Sequence, residues 1–580
     1  MGNDSLITLA EKSGFRETGR TEEVAHLCNA YAQRWPDSVK VIEFGRSAED
    51  RPMLALLVSR ADPRGKPMLM LQAGIHPGES DGKDAGFIAL RELLDGTTSA
   101  GVLDRIAILF IPAFNADGHE RTGRWNRPNQ NGPVETGWRT TAHNLNLNRD
   151  YAKADSPEMQ AMLGLIVEWD PLVCADLHVT DGADFEPDIS IQVEPINLGD
   201  IQLRAGGLQL RDDLIAKLAA QGSLPLPYYP DLAVTDDPAS GFQLTAYSPR
   251  FSTGYFPQRN RYAMLVETHS WKDYARRVRV MRNSIVGLAE LVAAHGSRWQ
   301  EMVRQADISS ARLAGQEVVL DYDSGWRETP KAGHVTGELA AADARIIDFR
   351  GYAYTRKASK ISGDLVTVYD PATPQIWRVP LRERMQASLT VEAPSGGYIV
   401  PAGYAQVIGA KLALHNIAFR RVDARQQNLS VKSFRATKAE FSSSPFEGRM
   451  RVTLCGAWNA DRRDVRSQSL LVPVAQPLAR LVMALLEPQA PDSYAAWGYF
   501  NACFEQKEQF EPYVAEQMAH DVLEANADLR IEFARRLDED SAFAADPGAR
   551  LEFLLRHHAS WDDQYMLYPI LRVESSEISV

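Results

Sequence analysis

Two residue types that bind divalent metals stand three apart in "LQAGIHPGES": His76 and Glu79. The pair follows an apolar run and precedes a helix-like segment, so both side chains fall at the carboxyl end of an expected strand, where open α/β sheets place their ligands. With 12 histidines in the chain, about one H-x-x-E is expected by chance, so the spacing needs company. A catalytic metal needs three protein donors and an open position. His178 in "VCADLHVTDG" ends a second apolar run and is the natural third donor, although on its own it reads better as a core imidazole donating to a carbonyl. Glu267 in "YAMLVETHS" ends a third, where an unpaired carboxylate is costly to bury. Two histidines and two carboxylates at three strand ends converge on one kind of site, a metal centre.

The elements that must position these groups alternate between short apolar runs and amphipathic segments from about residue 38 to 290. Strands are expected in "PMLALLVS", "KPMLMLQAG", "RIAILFIPAFN", "DPLVCADLHVT" and "RYAMLVETH". Helices are expected over 82–95, 157–168, 203–220 and 272–296, the last two with apolar residues at three and four spacing. The pattern predicts an α/β fold, a mixed, mostly parallel central sheet with helices on both faces. After about residue 305 strand-like pieces separated by Gly, Pro, Asp and Ser take over, among them "EVVLDYDSGW", "ARIIDFRGYAYTR" and "GYIVPAGYAQVIG". From about 468 charged stretches with helical spacing return. Three regions are expected: 1–305 carrying the site, a β-rich accessory domain over 306–467, and a mixed, partly helical region over 468–580 that packs on the rest.

A chain of 580 residues, 44% hydrophobic, can bury a large core, and its length favours more than one domain. Its net charge of -13, with no basic block, argues against nucleic acid and anionic membrane as partners. No stretch approaches the roughly 20 apolar residues of a membrane span. Cys28, Cys174, Cys455 and Cys503 lack C-x-x-C spacing, so neither a thiolate metal cluster nor a disulfide framework is expected. As written, "MGNDSLITLAEKSG" has no secretory pattern, which reads as cytoplasmic; a removed leader would make the protein periplasmic or secreted.

Five ordered pieces, "HPGE", "FNADGHERTGRWNRPNQNG", "NLNLNRDY", "DLHVTDG" and "LVETHSW", resemble the zinc carboxypeptidases of the M14 type, the carboxypeptidase A-like metallopeptidases. The resemblance covers about residues 20 to 300. It implies one Zn2+ per chain held by His76, Glu79 and His178, with Glu267 as general base. It implies that Asn148 and Arg149 grip the terminal carboxylate of a peptide or peptide-like substrate, a role suited to a guanidinium fork. The family also uses an arginine to polarise the scissile carbonyl. Arg121, Arg124 and Arg127 are on offer; Arg127 is the choice, since turn residues follow it, and Arg124 the alternate. A tyrosine covers the bound substrate in that family; Tyr247 has the better spacing and Tyr255 the better local context.

The chain departs from the family at Ala116, where proline is usual, and at Asn146, where aspartate is usual. Asp176 and Asp181 flank His178 and would orient its ring or remain solvated. Arg250, Arg259 and Arg261 lead into the Glu267 strand; they would favour an acidic terminal residue or form a solvated basic face. Stem peptides of peptidoglycan, protein C-termini and small N-acyl amino acids are all compatible substrates. An alternative is a zinc-dependent N-acyl amino acid deacylase or amidase resembling the succinylglutamate desuccinylase and aspartoacylase group, which shares the zinc set. The other is a catalytically silent peptide-binding module. The aromatics of "GYIVPAGYAQ" and "SYAAWGYFNACFEQKEQF" would bind carbohydrate or a partner, or form core.

Overall fold

The computed structural model describes residues 3–323, 327–331, 334–338 and 344–574. Its centre is an eight-stranded mixed sheet. In chain order the first strands are β1 (Val39–Arg46), β2 (Pro52–Val58), β3 (Met68–Ala73), β4 (Ala107–Ile111), β5 (Val173–Val179), β6 (Ile189–Glu194), β7 (Pro225–Leu226), β8 (Phe242–Gln243) and β9 (Tyr262–Thr268). They lie in the order β1-β2-β4-β3-β5-β9-β6-β7, with β8 outside this sheet. The central pairings β4-β3-β5-β9 are parallel, while β1, β2 and β6 join antiparallel. Parallel strands are covered on both faces, which is why β3, β4, β5 and β9 read as unbroken apolar runs and are buried throughout.

The expected helices form over Asp81–Asp95, Pro157–Trp169 and Arg204–Ala220. Ser156 caps the second through the N–H of Met159, with Pro157 in the first turn. The first packs closely on the sheet: a Cβ at Gly82 would come within 2.6 Å of the Leu177 Cβ, so only glycine permits this approach. The helix expected to end at 296 continues over Tyr274–Ser310, and the expected division at residue 305 lies inside it. Its apolar spacing simply runs on, with Trp299, Val303 and Ala306 buried and no proline to stop it.

Beyond it, Glu317–Asp323 pairs with Gln386–Glu392; residues 324–326 of the expected "EVVLDYDSGW" strand lie outside the described residues. Arg345–Ala358 and Leu365–Arg382 form a long hairpin whose second strand pairs in parallel with β8, Leu381 beside Phe242. The stretch "GYIVPAGYAQVIG" is half strand and half helix: Gly397–Val400 is extended, and Ala405–Leu414 is helical after the break at Pro401. A six-stranded sheet joins Gly397–Val400, Arg420–Arg421, Gln426–Phe441, Val452–Val465, Leu470–Val472 and Leu571–Val573, so strands from both sides of residue 467 share it. Helices cover Pro512–Ala525, Ala527–Glu539 and Pro547–Leu555. One apolar core runs between the halves, with Met159, Leu163 and Ile166 packed in the same cluster as Ile408, Leu412 and Leu485. Tyr398, Tyr494, Trp497 and Phe500 are buried, so these aromatics of the C-terminal half are core.

Candidate active site

His76, Glu79, His178 and Glu267 follow or end adjacent parallel strands, β3, β5 and β9, and His178 is the register partner of Glu267. The H-P-G-E turn is fixed by crowding: a Cβ at Gly78 would meet the Arg127 side chain at 2.4 Å. His76, Glu79 and His178 are all buried, and one donor atom from each lies within 4.8 Å of the others. Glu79 sits between the two rings, with Oε1 3.0 Å from His76 Nδ1 and Oε2 2.8 Å from His178 Nδ1. Oε2 also accepts the Val179 N–H at 3.1 Å.

The far side of each ring is also held. Asn146 Oδ1 accepts the Asn148 backbone N–H at 3.0 Å and lies 3.1 Å from His76 Nε2. Both ring nitrogens of His76 thus face acceptor oxygens, Glu79 Oε1 at Nδ1 and Asn146 Oδ1 at Nε2, and a metal held at Nδ1 would leave the Nε2 proton to Asn146. Asp176 Oδ1 is 3.1 Å from His178 Nε2, at an angle outside that of a hydrogen bond. Gln72 Nε2 and Ser252 Oγ donate to the two oxygens of Asp176 at 2.8 and 2.6 Å. Asp181, the other flanking acid, is exposed at the pocket rim.

Electrostatics follow from burial and these neighbours. Burial drives His76 down to about 4, helped by Arg139 and His178, so the ring is neutral at ordinary pH. Burial alone would raise Glu79, but Arg127 and His76 hold it well below the usual carboxylate range. Burial would likewise depress His178, yet the carboxylates of Asp176 and Glu79 lift it above the ordinary imidazole value. Glu267 is raised to about 8, by burial first and then by Glu79 and Asp181, against the pull of His178. Two imidazoles and one carboxylate, converging in a buried turn with an adjacent perturbed carboxyl, fit a catalytic divalent zinc.

These groups line a cavity of about 270 Å³ together with Arg139, Asn148, Arg149, Asp181, Tyr229, Tyr247, Phe251, Ser252, Thr253 and Leu265. Glu267 Oε2 and Asn148 Oδ1 are buried with no protein partner. The Arg149 guanidinium lies 4.3 Å from the Phe251 ring and donates to Asn148 O at 2.7 Å. Burial, then Arg139 and Arg250, bring it down to about 10, which leaves it charged at neutral pH. Tyr247 packs against Phe251 at the wall, its hydroxyl pushed above the ordinary value by burial. Tyr255 is fully buried, bonded through its hydroxyl to His415, and does not reach the pocket.

The arginines divide clearly. Arg124 is exposed over Trp125. Arg127 lies 3.0 Å from Glu79 Oε1 and donates to the carbonyls of Val179 and Thr180, so its fork is occupied beside the candidate metal donors. Arg139 lines the cavity, 3.6 Å from Glu79 Oε1 and a third exposed at the side chain, 38%. The sequence reading passed over it; its one signal is a place nine residues before Asn148, in the same loop. Tyr229 was likewise missed. Arg250, Arg259 and Arg261 do not line the cavity: Arg250 pairs with Asp492, Arg259 donates to His415 O, and Arg261 pairs with Asp170 and Asp307.

Residues 24–183 match the family model described as zinc carboxypeptidase. Over these residues the chain is similar to the M14 zinc carboxypeptidases. Among curated relatives, this carboxypeptidase-like chain is 25% identical over 150 residues to carboxypeptidase B of Helicoverpa zea, across 23% of this chain and 35% of that protein. It is 26% identical over 129 residues to carboxypeptidase B2 of Bos taurus, across 22% of this chain and 30% of that protein. The chain thus spans about a third of the length of these relatives. Carboxypeptidase A from Helicoverpa armigera covers 48% of this chain and 74% of its own at 16% identity, with a TM-score of 0.36. Metallo-carboxypeptidase from Burkholderia cenocepacia covers 48% and 69% at 19% identity, also with a TM-score of 0.36. The family match includes His76, Glu79, Arg127, Asn148, Arg149 and His178 and stops short of Tyr247 and Glu267. All four cysteines of the carboxypeptidase-like chain are free. Among the described residues no helix is long and apolar enough to cross a membrane.

Proposed function

We propose that the chain is a zinc-dependent metallocarboxypeptidase that hydrolyses the C-terminal peptide bond of a peptide or peptide-like substrate with a free terminal carboxylate. The observation that carries this reading is that one small cavity is lined by His76, Glu79 and His178, by Glu267, and by Arg149. One Zn2+ held by the three donors would supply a Lewis acid and lower the pKa of a water at the open position. Arg149 grips the substrate carboxylate through its fork, and Asn148, in the same lining, adds the N–H donors of its side-chain amide beside it. Holding the terminus there fixes which amide bond reaches Glu267.

Glu267 takes the proton from the attacking water and passes it to the departing amine. Arg139 suits the task of offsetting negative charge on the scissile carbonyl oxygen, because its guanidinium faces the cavity while that of Arg127 is held by Glu79 and two carbonyls. Arg127 then serves to hold Glu79. Tyr247 covers the substrate from the wall.

The test is hydrolysis of N-blocked dipeptides and of the same compounds as C-terminal amides, with and without a zinc chelator. Release of the terminal amino acid from the free acids only, lost with the chelator and restored by zinc, supports the reading. Equal turnover of the amides, or turnover that ignores the chelator, removes it.

A further inference from the structure

The long strands Gln426–Phe441 and Val452–Val465 belong to the C-terminal half, and the excursion between them ends in a tight turn at Phe446-Glu447-Gly448-Arg449. Phe446 and Arg449 exchange both backbone hydrogen bonds, at 2.9 and 3.1 Å. The two residues between them have φ of 50° and 75°. Two left-handed residues in a two-residue loop form a turn that selects asparagine, aspartate or glycine at its first position. Glutamate stands there instead, in a conformation that a longer side chain adopts reluctantly.

Its carboxylate has a specific destination. Glu447 Oε2 accepts the backbone N–H of Asn146 at 2.8 Å. Asn146 is the residue whose side chain faces His76 Nε2, on the ring edge opposite Glu79. The turn itself is held from both halves, by Asp155 and Leu145 of the site-bearing one and by Tyr499 and Trp497 of its own. Arg449 donates to both oxygens of Asp155, at 2.6 and 2.9 Å, and its guanidinium lies 3.9 Å from the Tyr499 ring. Phe446 stacks on Trp497, and Gly448 approaches Leu145. The charge of Glu447 also acts on Arg149, against the depressing influence of Arg139 and Arg250.

We infer that Glu447 is a positioning residue for the metal site, supplied by the C-terminal half, which sets Asn146 and through it the orientation and tautomer of His76. The inference rests on the metallocarboxypeptidase reading and extends it: the C-terminal half is then a working part of the centre, joined to it by one carboxylate.

The experiment uses full-length protein, wild type and the variants Glu447→Ala, Glu447→Gly and Glu447→Gln. It reads zinc affinity by competition with a chromogenic chelator and the visible spectrum of the cobalt-substituted forms. Glu447→Gly relieves the left-handed backbone while removing the acceptor, so it separates turn geometry from positioning. Expected are zinc binding weakened by about tenfold or more and an altered cobalt spectrum in the Ala and Gly variants, with Gln, which keeps an acceptor oxygen, within about threefold of wild type. Ala and Gly variants that hold zinc as tightly as wild type, with an unchanged cobalt spectrum, would overturn the inference while leaving the proposed function intact. A wild-type protein that takes up no zinc defeats the proposed function, and this inference with it.

Discussion

His178 and Glu267 face each other across the parallel strands β5 and β9 as register partners. One line of backbone pairing therefore fixes a candidate metal donor beside the only acid of the β9 strand, and neither depends on a loop for its place. Glu267 keeps one carboxyl oxygen without a protein partner, so exchanging that carboxyl for an amide leaves the surrounding bonds in place. Glu267→Gln is expected to fold and to bind zinc as wild type does, with kcat reduced by about 10²- to 10⁴-fold. Steady-state kinetics beside elemental analysis checks this; a variant with kcat near wild type removes Glu267 as the base.

Arg149 has no carboxylate within ion-pair distance among the described residues and sits over Phe251, ready for an anion. Arg149→Ala should lower kcat/KM on free-acid dipeptides by roughly 100-fold, mostly through KM, and Arg149→Lys should restore only part of it because the fork is lost. Activity on a substrate with an amidated terminus, where detectable, should not change.

Arg127 and Arg139 both approach Glu79, and their variants separate two roles. Arg139→Ala should reduce kcat by about 10²- to 10³-fold and retain zinc, as loss of a fixed charge facing the reacting carbonyl does. Arg127→Ala should instead weaken zinc binding, since it frees Glu79 Oε1 from a 3.0 Å ion pair. Zinc titration with kcat measured at saturating metal distinguishes them; the opposite pattern would return Arg127 to the carbonyl.

Stability should fall on the acid side of neutrality through histidines away from the candidate metal donors. Burial holds His119 and His269 down at about 4 and His415 at about 3. An unfolded chain protonates the same groups near pH 6.5, so between 6.5 and these values the unfolded state binds more protons. Their contribution is full above pH 6.5 and is lost as pH drops toward 4, at up to about 1.4 kcal/mol per pH unit for each group. His415 takes the Tyr255 hydroxyl on Nδ1 and donates from Nε2 to Ala152 O, joining the two halves. Thermal unfolding from pH 5 to 8 should show Tm rising with pH, with a shallower slope in His415→Gln; an identical slope would contradict this account of His415.

The sheet was legible because buried parallel strands leave unbroken apolar runs, and the site was legible where its residues end those runs. What lay hidden was set by contacts between distant segments. β6 joins the sheet antiparallel to β9 and carries polar Ser190 and Gln192 among its apolar residues, so no run marks it. Arg139 lies in a turn-rich loop with no periodicity to read, and its approach to Glu79 exists only once the loop is folded against the H-P-G-E turn. The link from Glu447 to Asn146 spans 301 residues and pairs a side chain with a backbone N–H, which leaves no pattern in either segment.

The most direct test of the central claim measures zinc per chain and terminal amino acid release together, on wild type and His178→Ala. One zinc per chain with release from free-acid dipeptides in wild type, and loss of both in His178→Ala, is the expected result. Wild-type protein that releases the terminal residue without bound metal, or that binds one zinc and releases nothing from any blocked dipeptide, would contradict it.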